Sequence, residues 1–297
     1  MVTLWQDSVP GSTSVKYRVF MWHHNATGDK DKGIPGRTIK YGLTVGNGGS
    51  SPITISSIKY ETTVTTNGGD ILTNAGLCLS KALLGQTLTE ESSSVSVPSN
   101  TVRTVKEFTL QDNQVRGMVM EFTLSSPSAM SAKIRTVAGT SATSVLNAHQ
   151  GPVINSVNTH PRGTWDYADV QGSNATLTLD SSGTSNSVGV LSNPAVFPGT
   201  LSNSAAYGGI YKINLTLKNT SGSTQTVNLY LNPRGGVFVG AVKVGSNAVN
   251  GISKTRATEA VKIGAFSLTN GQSVTVPVQV TTGGGSSTPI AFFARKA

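Results

Sequence analysis

The sequence predicts an all-β protein: two tandem immunoglobulin-like β-sandwich domains with at most one short helix. Three observations carry this expectation. The chain has 297 residues, room for two cores of ordinary domain size, and its richness in Gly, Ser, Thr, Val and Asn, with only 12% charged residues, disfavours long helices. Alternating apolar and polar residues recur along its length, the period-2 mark of a strand with one face on a core. One pair of such runs also occurs twice.

The clearer copy lies in Gly209–Pro233. Tyr211, Ile213, Leu215 and Leu217 alternate with Lys212, Asn214, Thr216 and Lys218; after Asn219-Thr220-Ser221-Gly222-Ser223, Val227, Leu229 and Leu231 alternate with Asn228, Tyr230 and Asn232. The turn residues between the runs predict an antiparallel return, a hairpin. Leu43–Ile55 aligns on Leu215–Val227 without a gap, so that Asn47 falls on Asn219. A second shared phrase follows each copy, Val97–Val102 in the first half and Leu268–Val274 in the second. Two related domains are expected, 1–154 and 155–297.

In chain order, Met1–Gly11 offers a short apolar strand, with Val2, Leu4 and Trp5 closed off by Val9-Pro10-Gly11. Too short to stand alone, it is expected to pair with a sheet edge, either of its own domain or of another copy; the second option would build a filament. From Val15 to Trp22, Val15, Tyr17, Val19 and Met21 form the inward face, and Lys16, Arg18, Phe20 and Trp22 an outer face ending in aromatics. His23, His24, Asp29 and Asp31 flank or occupy a loop where a metal ion is conceivable. Lys30 and Lys32 oppose a cation, however, and no ligand spacing matches a known motif. Ile53 and Ile55 have one parity, Ile58 and Tyr60 the other, which predicts a bulge near Ser56-Ser57. Ala75–Leu84 is the one good helix segment, expected as a cross-connection between sheets, and Cys78 within it reads as a small buried hydrophobe. That lone cysteine excludes an intramolecular disulfide and a cysteine zinc site. Val102–Leu110, Met118–Leu124 and Ala132–Val137 close the first domain, with Met118, Met120, Phe122 and Leu124 facing its core.

His149 to Asp169 reads as the linker. Trp165 and Tyr167 are expected to pack between the domains or, with Trp22, to present a sugar platform. Asp166 and Asp169 near His160 read as loop residues that cap backbone groups. The second domain continues through Ala175–Leu179, Val188–Leu191, the repeated pair, Val237–Val244, Val261–Leu268, Val274–Val280 and Ile290–Ala294.

Several phrases carry a family resemblance. Phe20-Met21-Trp22-His23-His24-Asn25-Ala26-Thr27, Ile39–Pro52, His160-Pro161-Arg162-Gly163-Thr164-Trp165, Tyr207-Gly208-Gly209-Ile210-Tyr211, Asn232-Pro233-Arg234-Gly235-Gly236 and Gly283–Pro289 resemble segments of secreted Gram-positive surface proteins of the copper amine oxidase-like stalk-domain group. The resemblance implies an extracellular or wall-associated β-sandwich protein without a catalytic mechanism. No copper site carries over, since the histidines are His23, His24, His149 and His160 alone and no quinone signature is present.

The remaining features narrow the function. The formal charge is +9, spread over polar strand faces without the dense basic and aromatic clustering of a nucleic-acid groove. It suits anionic polymers instead. No apolar run reaches the ~20 residues of a membrane span. Residues 1–7 lack a signal-peptide layout, which fits a mature secreted chain whose leader has been removed. Gly-x-Ser-x-Gly, His-Glu-x-x-His and a P-loop are absent. The expectation is a non-enzyme without cofactor: a structural subunit of a surface layer, fibre or filament that joins copies of itself through strand edges, or alternatively a module that binds anionic cell-wall polymer or polysaccharide.

Overall fold

The computed structural model describes residues 1–66, 70–154, 164–166, 169–191, 195–196, 202–203 and 207–297. They form β-structure with a single α-helix among them, the class that composition and alternation predict. Two compact units divide the chain. One comprises Met1–Ile71 and Leu88–Tyr167, the other Leu72–Thr87 and Ala168–Ala297.

The first unit contains β1 (Val2–Pro10), β2 (Ser14–His24), β3 (Ile39–Asn47), β4 (Ile53–Thr66), β5 (Thr89–Glu90), β6 (Val95–Val97), β7 (Val102–Leu110), β8 (Gln114–Ser125), β9 (Ser131–Gly139) and β10 (Thr164–Asp166). One sheet runs β1-β9-β3-β7; the other runs β10-β2-β8-β4, with β5 and β6 both pairing with β4. Tyr17, Met21, Leu43, Val45, Ile134 and the series Met118, Met120, Phe122 and Leu124 fill the core. Ile53, Ile55 and Ile58 are all fully buried despite their change of parity, because the ladder to β8 shifts between Ser56 and Lys59 and Ser57 turns to a φ of 52°. This is the bulge that the parity slip predicts.

The second unit contains β11 (Val170–Gln171), β12 (Ala175–Leu179), β13 (Thr184–Val190), β14 (Ala195–Val196), β15 (Ser202–Asn203), β16 (Tyr211–Asn219), β17 (Gln225–Pro233), β18 (Phe238–Val244), β19 (Asn250–Thr255), β20 (Val261–Leu268), β21 (Ser273–Thr282) and β22 (Ile290–Lys296). β19-β18-β21-β16-β12 form one layer, with β11 also pairing with β16, and β13-β22-β17-β20 form the other; the Leu179–Ser185 bridge joins them. Leu177, Leu215, Leu229, Phe238, Val278 and Phe292 are fully buried in its core. β14 and β15 pair with each other.

The repeated pair is not a hairpin. β16 pairs with β21, β12 and β11, whereas β17 pairs with β20 and β22, so the two strands lie in opposite sheets. β3 and β4 are separated in the same way, in the first unit. The reason is that both runs turn their apolar sides to one core, which two strands satisfy equally well by facing each other across it. A buried asparagine makes the crossing. Asn47 Nδ2 donates to Ser51 O at 2.8 Å and Val97 O at 3.0 Å, and its Oδ1 accepts from Gly49 N at 2.9 Å. Asn219 Nδ2 donates to Ser223 O and Leu268 O, both at 2.8 Å, and its Oδ1 accepts from Ser221 N at 3.0 Å. Both backbone N–H groups are also held, by Thr101 O and Gln272 O. Val97 and Thr101, like Leu268 and Gln272, come from the second shared phrase, so its role is to supply the acceptors for the buried asparagine.

The helix departs from its expected role as a cross-connection. A π-helical stretch, Leu72–Leu77, leads into α1 (Cys78–Gly85), and both belong to the second unit although their sequence lies within the first half. α1 packs on β18, β19 and β21. Leu79, Leu83 and Leu84 are buried, while Cys78 is exposed rather than a buried hydrophobe, because it lies off the packed face. Gly76 meets the turn after β21 backbone to backbone: a Cβ on Gly283 would come within 2.8 Å of the Gly76 C and O atoms.

Candidate functional site

The outer face of the β13-β22-β17-β20 sheet brings together an aromatic and cationic strip. In β17 the core takes Val227, Leu229 and Leu231, which leaves Asn228, Tyr230 and Asn232 on the other face. In β22 Ile290, Phe292 and Ala294 are inward, and Phe293 and Arg295 are outward. Tyr230 is the register partner of both Phe293 and Lys262, and Phe293 is also that of Ser187. The row Ser187, Phe293, Tyr230, Lys262 therefore crosses four strands, a span of about 14 Å at the usual inter-strand spacing.

The Tyr230 and Phe293 rings stack with centroids 5.3 Å apart and planes at 12°. The Arg295 guanidinium carbon lies 5.0 Å from the Phe293 centroid, a cation–π distance. Both rings are partly exposed; Ser187, Lys262, Ala265 and Arg295 around them are exposed. Asn228, the register partner of Arg295, is 6% exposed, and its buried Oδ1 accepts no hydrogen bond. Asn232 instead anchors the neighbouring loop, with Nδ2 donating to Ala257 O and Glu259 O. The strip thus offers apolar ring surface and positive charge on one solvent-facing side, with the unpaired Asn228 amide oxygen buried beneath it.

The residues singled out from sequence have other surroundings. β1 pairs with β9 from Val2 to Pro10, with Leu4 at a register shift between Thr3 and Trp5. Thr3 also bridges Val153. Val2, Leu4 and Trp5 are partly buried, and Trp5 packs against the core of the first unit. Trp22 does not form an exposed platform: it is 9% exposed, stacks on Phe20 at 6.4 Å, and shares its buried face with Arg18, whose guanidinium meets Glu121 at 2.7 Å. β10 pairs Trp165 with Arg18 through the backbone, whereas the Trp165 and Asp166 side chains, His160 and Tyr167 lie outside the described residues. Asp169 pairs with Lys212 at 2.6 Å.

His23, His24, Asp29 and Asp31 are not brought together. The His23 ring packs edge-on to Tyr41 at 4.9 Å, and the next residue, His24, is exposed. Asp29 accepts the Asp31 and Lys32 N–H groups and the Lys32 ammonium, which holds its carboxyl below the ordinary range. No cluster of three or more metal-ligating side chains occurs among the described residues. Sequence reasoning missed Tyr230, Phe293 and Arg295 as a group. Alternation places each on an outer face, but bringing them together requires the β17–β22 register, which no local pattern encodes.

No family model matches the chain, and no curated protein matches it. Among solved structures it is similar to the N-terminal CBM22-1–CBM22-2 tandem domain of Xyn10C from Paenibacillus barcinonensis, at 11% identity and a TM-score of 0.23, over 93% of this chain and 72% of that one. It is also similar to the CUB1-EGF-CUB2 domain of human MASP-1/3, at 13% identity and a TM-score of 0.21, over 99% of each chain. A third similar structure is the CupB6 tip adhesin from Pseudomonas aeruginosa, at 10% identity and a TM-score of 0.20, over 100% of this chain and 90% of that one.

Proposed function

We propose that the protein is a non-enzymatic extracellular binding protein whose second unit holds an anionic cell-wall polymer or polysaccharide on the Tyr230, Phe293 and Arg295 strip. The observation that carries this reading is the stack itself: two parallel rings and a guanidinium on an open sheet face. Sugar rings present C–H surfaces that pack on aromatic rings, while an acidic substituent pairs with Arg295 and Lys262. The +9 charge of the chain favours the encounter with such a polymer.

Phe293→Ala and Arg295→Gln, made separately, test this reading by titration calorimetry with polygalacturonate and with purified teichoic acid. Each is expected to weaken binding about tenfold at unchanged Tm, as loss of a central anchor does. Wild-type protein that binds neither polymer, or variants that bind both as well as it does, would refute the assignment.

Assembly into a filament is a second reading with a narrower structural basis. Because β1 is paired with β9 of its own unit, it is not a strand left over for donation, and copies would have to join edge to edge; among the described residues β1, β7, β19 and β20 each carry a ladder on one side only. Sedimentation velocity at high concentration tests it, and a monomer throughout removes it.

A further inference from the structure

We propose that the first unit holds an oxyanion, a sulfate or phosphate group either free or borne on a polymer, on the outer face of its β1-β9-β3-β7 sheet. The site centres on Arg135. Core-facing positions of β9 are Ala132 and Ile134, so Arg135 projects from the opposite face, yet it is only 4% exposed. Its Nε donates to Gln6 Oε1 at 2.9 Å. No carboxylate of the described residues lies within ion-pair distance of it. Glu107 on the same sheet, opposite Gly42, is paired with Lys40 at 3.0 Å. A guanidinium removed from water without a counter-charge is costly, and its desolvation pulls the Arg135 pKa below the ordinary arginine value.

The surroundings supply the remainder of an anion cradle. Gln6, Arg135, Thr44 and Thr104 stand in one register row across four strands. Thr44 is fully buried, and its Oγ1 has no hydrogen-bond partner, so its hydroxyl is available as a donor. Gly46 occupies the next row: a Cβ there would lie 3.3 Å from Arg135 Nη1, so the guanidinium end lies over this glycine, where a side chain would crowd it. Opposite Gly46 is Lys133, an exposed second cation. The 140–154 segment walls this face, with Leu146 fully buried and Asn147 reaching Val102 O at 3.5 Å. The unpaired Thr44 hydroxyl beside an unneutralised guanidinium matches an oxyanion, which accepts from both.

The test uses the full chain in sodium chloride buffer at constant ionic strength, with chloride replaced stepwise by sulfate or, separately, by phosphate. Tm and the Arg135 Nε–Hε NMR resonance are followed, and dextran sulfate against neutral dextran forms the polymer arm. A saturable rise in Tm with a matching shift of that resonance is expected with free anion, or with dextran sulfate alone if the group must be polymer-borne. Thr44→Val keeps the shape of the site and should weaken binding about tenfold through loss of one hydrogen bond to a charged group. Arg135→Lys should abolish the saturable response, and if it fails to fold, the valine variant still decides. No saturable response to either free anion or to dextran sulfate, or an undiminished response in Thr44→Val, overturns the proposal. Dextran sulfate can also meet the strip on the second unit, so the Arg135 resonance, whose shift Phe293→Ala should leave unchanged, decides the polymer arm.

Discussion

Gly283→Ala tests the placement of the helix. The added methyl would meet the Gly76 C and O atoms at 2.8 Å and its Cα at 3.0 Å. All three are backbone, so no flexible side chain can swing aside, and the helix must shift off β18 and β21. Overpacking of a tight contact costs about 1–3 kcal/mol, and a clash borne by backbone alone belongs at the upper end. For a unit of about 150 residues, a loss of ~3 kcal/mol lowers Tm by roughly 6–12 °C. The assay separates the units, because Trp5, Trp22 and Trp165 all belong to the first. Thermal unfolding followed by tryptophan fluorescence should be unmoved, while far-UV circular dichroism shows an earlier second-unit phase. Gly271→Ala is the control, with a φ of 82° and nothing within 4 Å of its Cβ position; left-handed strain alone costs about 1–2 kcal/mol. A Gly283→Ala protein with an unchanged dichroism profile, or with an equal shift in fluorescence, would refute the packing of Gly76 on this turn.

The buried asparagines predict a matched pair of losses. Asn47→Ala and Asn219→Ala each strand one buried carbonyl, Val97 O or Leu268 O, and should each cost about 2 kcal/mol, the first seen by tryptophan fluorescence and the second by dichroism alone; a loss well below 1 kcal/mol in either would deny the crossing role. Tyr41 is fully buried, with a hydroxyl that has no partner, and burial raises its pKa. A raised folded-state pKa means that the neutral phenol contributes stability below about pH 10, which is lost as pH climbs through the alkaline range. Tyr41→Phe should therefore gain about 1 kcal/mol at pH 7 and lose less than wild type between pH 7 and 11 in urea titrations. Equal alkaline losses would show that the phenol does not ionise in unfolding.

How much the sequence discloses can be judged from particular elements. Alternation located nearly every long strand and the inward faces of β8, β16 and β17, because burial of one strand face is written in consecutive residues. It located the β4 bulge as well, since a parity slip is local. Pairing was not legible. β3 and β4 look like a hairpin from their turn residues, but the same residues serve an arch between sheets, and what distinguishes the two is an asparagine amide whose acceptor lies 50 residues away. Trp22 alternates as an outer residue and is one, yet that face is buried. Tyr230 and Phe293 meet only through a long-range ladder, and Arg135 is unusual only because no carboxylate among the described residues pairs with it, a property of space rather than of spacing.

The detour of Leu72–Thr87 has a consequence for how the protein is made. The surface that receives α1 is built from β18, β19 and β21, and it is not complete until Thr282 has been added. At ~5–20 residues per second, the roughly 200 residues between them take about 10–40 s to synthesise. Throughout that interval Leu79, Leu83 and Leu84 have no site to enter and are open to any apolar surface nearby. The first half of the chain therefore matures around a loop that must wait, and chaperone contact is most needed there, at a helix already made, rather than at the growing end.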